Sequence, residues 1–344
     1  MAFDIRKIEY FLAVIEQGNI SSAAEALRVS QPTLSRQIHA LERQFNTPLF
    51  IRHGRGVLPT EAGKRLQEGL RGLEHHLRTL RDDVAAAARD PSGEVALGIP
   101  PSPRMLLAGP IVSAFCEAYP QVAIRIIEQT SSDIRDLVAR GEVDLAVINS
   151  DEPMQGLVCD RLATEPMLLI GPRHAKLSLD AATPLKRLAE LPLILTTKPN
   201  SLRRIVESEL NRRGLRPRIR VEANTLPLMT DLVTLGLGFT VLPSCGVMSL
   251  VKAGRFSASP LPGLRLTWTI ARPANRNPSV AARLLLDTVF RTVRSMVDMG
   301  AWPLAELERD CKDAVRRAAA NKMRAPADML TAKRPGEGAR AGME

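Results

Sequence analysis

Apolar spacing takes on three different textures along the chain. In the first stretch Ile8, Phe11, Leu12 and Ile15 recur at helical intervals, and Gly18-Asn19 closes that helix. Ser21 or Ser22 stands where it would cap a short helix over 23–27. A third helix begins after Ser30, its expected cap, and runs to about Phe45. Pro32 falls in its first turn, where a missing N–H costs nothing. Short β-like pieces around His53-Gly54-Arg55-Gly56 predict a small hairpin, and Thr60 with Glu61 behind it opens a fourth helix. There Leu66, Leu70, Leu73, Leu77, Leu80 and Val84 alternate spacings of four and three, which is a heptad seam. Gly63, Gly69 and Gly72 each cost about 1 kcal/mol relative to alanine in a helix, so this element is expected to need a partner. It is read as a dimerisation helix.

The second texture starts after Arg89-Asp90-Pro91-Ser92-Gly93, a hinge. Strand-like EVALGI, VAIRII, DLAVIN, MLLIG, PLILT and FTVLP alternate with helix-like stretches such as 105–118 and 133–140. That alternation predicts an α/β unit with a mainly parallel sheet and helical crossovers. In the third texture Leu304 to Ala320 reads as one amphipathic helix, and the terminal KRPGEGARAGME as disordered. No function is assigned to that tail.

Composition narrows the class. The 344 residues are 45% hydrophobic and 24% charged, enough for two or three folded domains. No apolar run approaches the ~18 residues of a membrane span. Asp4 and Glu9 interrupt the stretch where a signal peptide would need an apolar core, so a cytoplasmic protein without membrane contact is expected. Cys116, Cys159, Cys245 and Cys311 form no CxxC pair, and no histidine lies near them at metal-ligand spacing. Reduced, mostly buried thiols and no metal are expected. Lys and Arg exceed Asp and Glu by ten, and half of that excess lies between residues 28 and 65. Such concentration suits a nucleic-acid footprint better than an ordinary solvated face.

Two short helices joined by a tight turn place the second in a DNA major groove. At about 100° per residue, with Leu34 at zero, Ile38 and Leu41 fall within about 40° of it. Pro32, Arg36 and Arg43 fall on the opposite side, with Thr33 and His39 beside them and Gln31 and Ser35 flanking the N-terminal end. Gln, Arg and the Thr methyl are residue types that read base edges. The competing reading is an αα-hairpin whose polar face meets water. The charge concentration, the proline start and a hairpin carrying Arg52 and Arg55 favour DNA.

The run IEYFLAVIEQGNISSAAEALRVSQPTLSRQIHALERQFNTPLFIRHGRGVLPTEAGKRL resembles, nearly position by position, the winged helix-turn-helix of LysR-type transcriptional regulators. The motifs are SxAAxxLxxSQPxLSRQIxxLE, PLFxR and TEAG. A looser likeness continues through SGEVALGIP, GEVDLAVIN, LPLILT and GLGFTVLP to about residue 298, with some features of the nitrogen-assimilation-control branch. The resemblance implies a DNA-binding domain over 1–60, with the helix-turn-helix at about 20–39, and a linker helix over 61–89. It implies an effector-binding domain over 90–299 built like a two-lobed periplasmic binding protein. Lobe one would take about 94–163 and 264–299, lobe two about 164–263, and 300–344 would be a C-terminal extension. By motif, the family's DNA contacts fall on Gln31, Pro32, Ser35, Arg36 and the wing residue Arg52; Thr33 and Arg55 are added from charge and position. Double-stranded DNA with an inverted repeat, a homodimer or homotetramer, RNA polymerase contact and a small-molecule effector follow as implied partners.

In an α/β unit, ligands gather where strands end and helix N-termini expose N–H groups, which bind anions. Three places qualify: 100–104, 130–132 and 196–201. They supply Ser102, Arg104, Ser131, Ser132, Thr196, Thr197 and Ser201 as candidate contacts for a small organic, anionic effector. The plainer reading makes these hydroxyls N-caps. Gly236 and Gly238 are read as allowing close backbone approach; no GxGxxG or GxxxxGK[ST] occurs at that position, so no nucleotide cofactor is expected. Among the histidines only His174 lies in the α/β half, without GxSxG or HExxH, so no catalytic residue is assigned and the chain is not expected to be an enzyme. The alternative is an α/β solute-binding or enzymatic domain fused to a helical DNA-binding or dimerisation module.

Overall fold

The computed structural model describes residues 4–54, 56–86, 91–150 and 153–313. It opens with α1 (Ile5–Gln17), α2 (Ile20–Ala26), α3 (Gln31–Phe45), a hairpin of β1 (Phe50–His53) and β2 (Gly56–Pro59), and α4 (Glu61–Ala86). Gly18 ends α1 in the left-handed region at φ 62°, a conformation that costs glycine nothing. The cap of α2 is Asn19 rather than Ser21 or Ser22. Its Oδ1 accepts from Ser21 N–H at 2.8 Å and Ser22 N–H at 3.4 Å, so the helix starts earlier and buries Ile20. Ser30 caps α3, accepting from Thr33 N–H at 3.3 Å.

Phe11, Val14, Ala23, Leu34, Ile38 and Leu41 form the centre of this unit, and Leu66 and Leu70 from α4 pack onto it. The seam on α4 is thereby divided. Leu70 is 4% exposed, whereas Leu73, Leu77, Leu80 and Val84 are 39%, 38%, 52% and 69% exposed. The first leucines close the helical unit over itself, and the last four positions form an open apolar strip.

The α/β unit contains β3 (Gly93–Ile99), α5 (Pro101–Ala118), β4 (Val122–Glu128), α6 (Ser131–Ala139), β5 (Leu145–Asn149), β6 (Leu157–Pro172) and α7 (Lys186–Glu190). It continues with β7 (Pro192–Leu195), α8 (Ser201–Asn211), β8 (Arg218–Glu222), α9 (Leu226–Thr234), β9 (Thr240–Pro243) and α10 (Ser244–Lys252). β10 (Phe256–Pro273), α11 (Val280–Asp298) and β11 (Glu306–Leu307) complete it. The sheet order is β11-β6-β10-β5-β3-β4, with β9 also on β6. β3 pairs in parallel with β4 and β5, as βαβ crossovers require.

β6 and β10 run antiparallel from Leu157↔Pro273 to Pro172↔Phe256. One end of this ribbon joins β5 and the other joins β9, so the two strands carry the chain from one α/β lobe to the other and back. The strand motifs read from the sequence all form strands, but 256–273 was not among them. Its pattern is broken by Pro260, Pro262 and Gly263, which coincide with a register shift between Pro260 and Arg265.

The helix expected from Leu304 is corrected. Glu306 and Leu307 pair with Thr164 and Ala163, and helix appears only from residue 309. The edge of β6 claims this backbone, with Thr164 Oγ1 donating to Glu308 at 2.6 Å and Arg161 N–H to Asp310 at 3.0 Å. The remainder of the expected helix and the terminal tail lie outside the described residues.

At the middle of β6 sits Glu165, wholly buried. It accepts from Trp268 Nε1 at 2.5 Å, Trp302 Nε1 at 3.0 Å, Cys245 N–H at 2.8 Å and the Ser244 hydroxyl. Four donors on two oxygens satisfy a carboxylate that would otherwise be costly to bury. They come from β10, the segment after α11, and the start of α10. All four cysteines are free; Cys245 and Cys311 are buried, Cys159 is half-buried and Cys116 is exposed. Burial pushes the Cys311 thiol up to about 12. Among the described residues no helix is long and apolar enough to cross a membrane.

Candidate functional site

The buried stripe of α3, Leu34, Ile38 and Leu41, turns the opposite side of the helix to solvent. Gln31, Pro32, Arg36 and Arg43 are exposed there, and Thr33 and Ser35 half-buried. The Thr33 hydroxyl lies 2.7 Å from Ser30 Oγ, so it belongs to the helix cap. Arg36 Nε donates to the Pro32 carbonyl at 3.3 Å, which holds the guanidinium along the first turn.

The hairpin brings Arg52 onto this face. Its Nη2 donates to Ser35 Oγ at 3.3 Å and to His39 Nε2 at 2.9 Å. His39, with its proton on Nδ1, donates in turn to Glu42 Oε2 at 3.0 Å. The other oxygen of Glu42 accepts from Leu49 N–H at 2.8 Å and Phe50 N–H at 3.3 Å, fixing the start of β1. The structure thus gathers Gln31, Pro32, Ser35, Arg36 and Arg52 on one surface. His39 and Glu42, which organise the wing, were not singled out as site residues because their role is a contact across the turn rather than a pattern along the chain. Arg55 lies outside the described residues. Arg36, Arg43 and Arg52 have no carboxylate partner among the described residues, and the N-terminal end of α3 adds partial positive charge. Such a face suits phosphates and base edges.

In the α/β unit the three expected places behave differently. Ser201 Oγ, at the start of α8, donates to Asn149 Oδ1 at 2.9 Å across the gap to the end of β5. Asn149 N–H donates to Ser131 Oγ at 3.4 Å, so Ser131, Asn149 and Ser201 come together between the lobes. Thr196 is buried at the end of β7, and its hydroxyl has no hydrogen-bond partner. Thr197 donates to Asn224 Oδ1 from its hydroxyl at 2.5 Å and from its N–H at 2.9 Å. Ser132 Oγ lies 2.8 Å from Thr130 Oγ1, within the cap of α6. Ser102 is 6% exposed and sits against Gly246 of α10, where it serves as a contact between lobes.

Arg104, Lys198 and Arg203 are already paired. Arg104 Nε lies 2.7 Å from Glu128 Oε2, and Lys198 Nζ 2.8 Å from Glu207 Oε2. Arg203, buried, donates to Glu207 at 2.9 Å, Glu222 at 2.5 Å and the Thr196 carbonyl at 2.8 Å. Burial alone would lower the pKa of Arg203, but its bonds to Glu207 and Glu222 outweigh that and raise it. Glu207 is held below the usual carboxylate range because Lys198 and Arg203 outweigh its burial. The polar groups not tied up in ion pairs are hydroxyls and amides: Thr196, Ser201, Asn149 and Asn224. The two asparagines were missed; each becomes a site residue through its place at a strand end. Among the described residues no group of three His, Cys, Asp or Glu could hold a metal.

Comparison with known proteins covers both units. Residues 5–64 match the bacterial regulatory helix-turn-helix protein family of lysR type, and 88–294 match the LysR substrate binding domain. The nitrogen assimilation regulatory protein nac of Escherichia coli is 26% identical over 297 residues, spanning 86% of this chain and 96% of that protein. The crystal structure of full-length CbnR complexed with target DNA aligns with a TM-score of 0.63 at 22% identity, over 84% of this chain and all of that one. Full-length LysG from Corynebacterium glutamicum, with bound effector Arg, aligns with a TM-score of 0.56 at 20% identity, over 85% of this chain and 99% of that one.

Proposed function

The chain belongs to the LysR family of bacterial transcriptional regulators, and from that membership we propose that it acts in the cytoplasm as a sequence-specific DNA-binding switch controlled by a small molecule. The observation that carries this reading is the outward face of α3, where Gln31, Ser35, Arg36 and wing-borne Arg52 lie together and no carboxylate among the described residues neutralises the arginines. α3 enters the major groove, Gln31 and Arg36 read base edges, and Arg52 grips the backbone beside it. The open strip of Leu73, Leu77, Leu80 and Val84 pairs with a second copy, which sets two recognition helices on an inverted repeat.

The effector sits between the lobes, on Thr196, Ser201, Asn149 and Ser131. Arg104, Lys198 and Arg203 already hold carboxylates, so an anionic effector is met chiefly by hydroxyls and helix N–H groups. Binding there favours one lobe arrangement and thereby one arrangement of the paired linker helices. The DNA complex of CbnR and the Arg-bound LysG support the two halves of this reading by fold likeness.

Selection of bound fragments from sheared genomic DNA by the full chain, at two salt concentrations, tests the proposal. The expected result is enrichment of an inverted repeat whose half-sites lie about one helical turn, or a multiple, apart. Binding that weakens steeply with salt and prefers no sequence would reduce the face to a phosphate patch and overturn it.

A further inference from the structure

The helix that carries the leucine strip has a second face, docked on the first α/β lobe. A Cβ at Gly72 would collide with the Arg140 carbonyl, so only glycine lets α4 approach this closely. One turn on, His75 is 5% exposed and places Nε2 2.9 Å from Asp144 Oδ2, which also accepts from Ala96 N–H at 2.9 Å. Beside this contact, between α4 and the start of α11, lies a cavity of about 360 Å³.

The lining of that cavity is strongly cationic. Arg272, Arg276 and Arg283 enter from the lobe and His76 and Thr79 from α4, with Asp144 as the only acidic lining residue among the described residues. Oδ2 of Asp144 is taken by the Ala96 N–H and the His75 ring, which leaves Oδ1 to face Arg276. Arg276 Nη2 lies 3.6 Å from Asp144 Oδ1, too far for a hydrogen bond, and this buried nitrogen has no hydrogen-bond partner. Arg276 Nη1 lies 3.4 Å from His76 Nδ1, and Arg283 Nη1 donates to the Pro278 carbonyl at 2.7 Å. Arg272 is 3.7 Å from Asp160. Arg276 Nη2 is thus an unmet donor, and Arg283 has no carboxylate partner among the described residues, an arrangement that an oxyanion with several acceptor oxygens resolves. The volume falls within the roughly 300–1,000 Å³ range of small-molecule sites, larger than a bare oxyanion needs.

We propose that this cavity is a second ligand site, for a small organic polyanion bearing a phosphate ester or several carboxylates. The bound anion spans Arg276 and Arg283 on the lobe and His76 and Thr79 on α4. It therefore acts on the linker helix directly, independently of the cleft between the lobes.

Amide hydrogen exchange on the full-length protein tests this, with inorganic phosphate and citrate as probes and chloride at matched ionic strength. Exchange limited by local opening should slow about tenfold in residues 72–80 and 276–284 when the probe stands at ten times its dissociation constant. Arg276→Gln should lose the effect, and so should Arg283→Gln, an exposed position whose change spares the fold. Thr196→Val should keep it. A response to phosphate alone assigns phosphate esters, and one to citrate alone assigns polycarboxylates. Slowing confined to residues 31–53, an equal response to chloride, or an unchanged response in Arg283→Gln would overturn the site.

Discussion

In the helical unit Arg36 and Arg52 touch only a carbonyl, a hydroxyl and an imidazole, whereas in the α/β unit Arg104, Arg125 and Arg203 each reach a carboxylate within 3.0 Å. The same residue type does two jobs. An arginine that must meet a partner's phosphate is left without an internal anion and contributes little to the fold. An arginine neutralised within its own unit braces the fold and is a poor ligand for an external anion. Counting basic residues does not separate these cases; the distance to the nearest carboxylate does.

Removing one arginine from each region should break the symmetry between them. Arg203→Ala leaves Glu222 without its partner and Glu207 with Lys198 alone, and should cost about 2–3 kcal/mol in chemical denaturation, less than the ~3–5 kcal/mol of a fully buried pair because Glu207 keeps one cation and Glu222 is 45% exposed. Unchanged stability would show that the ion pairs of the α/β unit are ornamental. Arg36→Ala should leave stability within about 0.5 kcal/mol yet lower discrimination between cognate and altered sites by about 1–3 kcal/mol, read in competition binding. By contrast Arg52→Ala should weaken all sequences alike and reduce the slope of log affinity against log salt by about one.

Thr196→Val sharpens the contrast within the α/β unit itself. Deleting a buried hydroxyl that lacks a partner should raise the stability of the ligand-free protein by about 1 kcal/mol while weakening its response to effector. A loss of stability would mean that the hydroxyl is satisfied after all. The smallest effect should come from pH. Glu207 is depressed in the folded state, so its share of stability is complete above the ordinary carboxylate range and fades as pH falls through its lowered folded value. Acid titration of Glu207→Gln should be flatter than that of the parent over that window.

The helical unit was largely legible in the sequence because its determinants are local. Ser30, Pro32 and the Leu34–Ile38–Leu41 stripe each act within a few residues, and they set where α3 starts and which side it shows. Asn19 took the cap from Ser21 and Ser22 because its amide oxygen accepts from their own N–H groups, which starts the helix at Ile20. The α/β unit was legible in its short hydrophobic strands and not in β10, whose prolines disguise a strand that its neighbours impose. Site residues followed the same rule. Ser131 and Ser201 could be found as hydroxyls before helices, but Asn149, which joins them, and Glu128, which occupies Arg104, come from distant parts of the chain. The leucine seam read as one feature because periodicity is blind to what lies beside a helix, and the helical unit claims Leu66 and Leu70.

The carboxylate of Glu165 has an optical consequence. The chain has two tryptophans, and both indoles donate to this one group. Indole emission from the intact protein therefore comes from a single spot, where the ribbon of β6 and β10 passes between the lobes. A rearrangement of the lobes that alters either bond changes the field at both fluorophores together. The unlabelled protein carries its own gauge of lobe position.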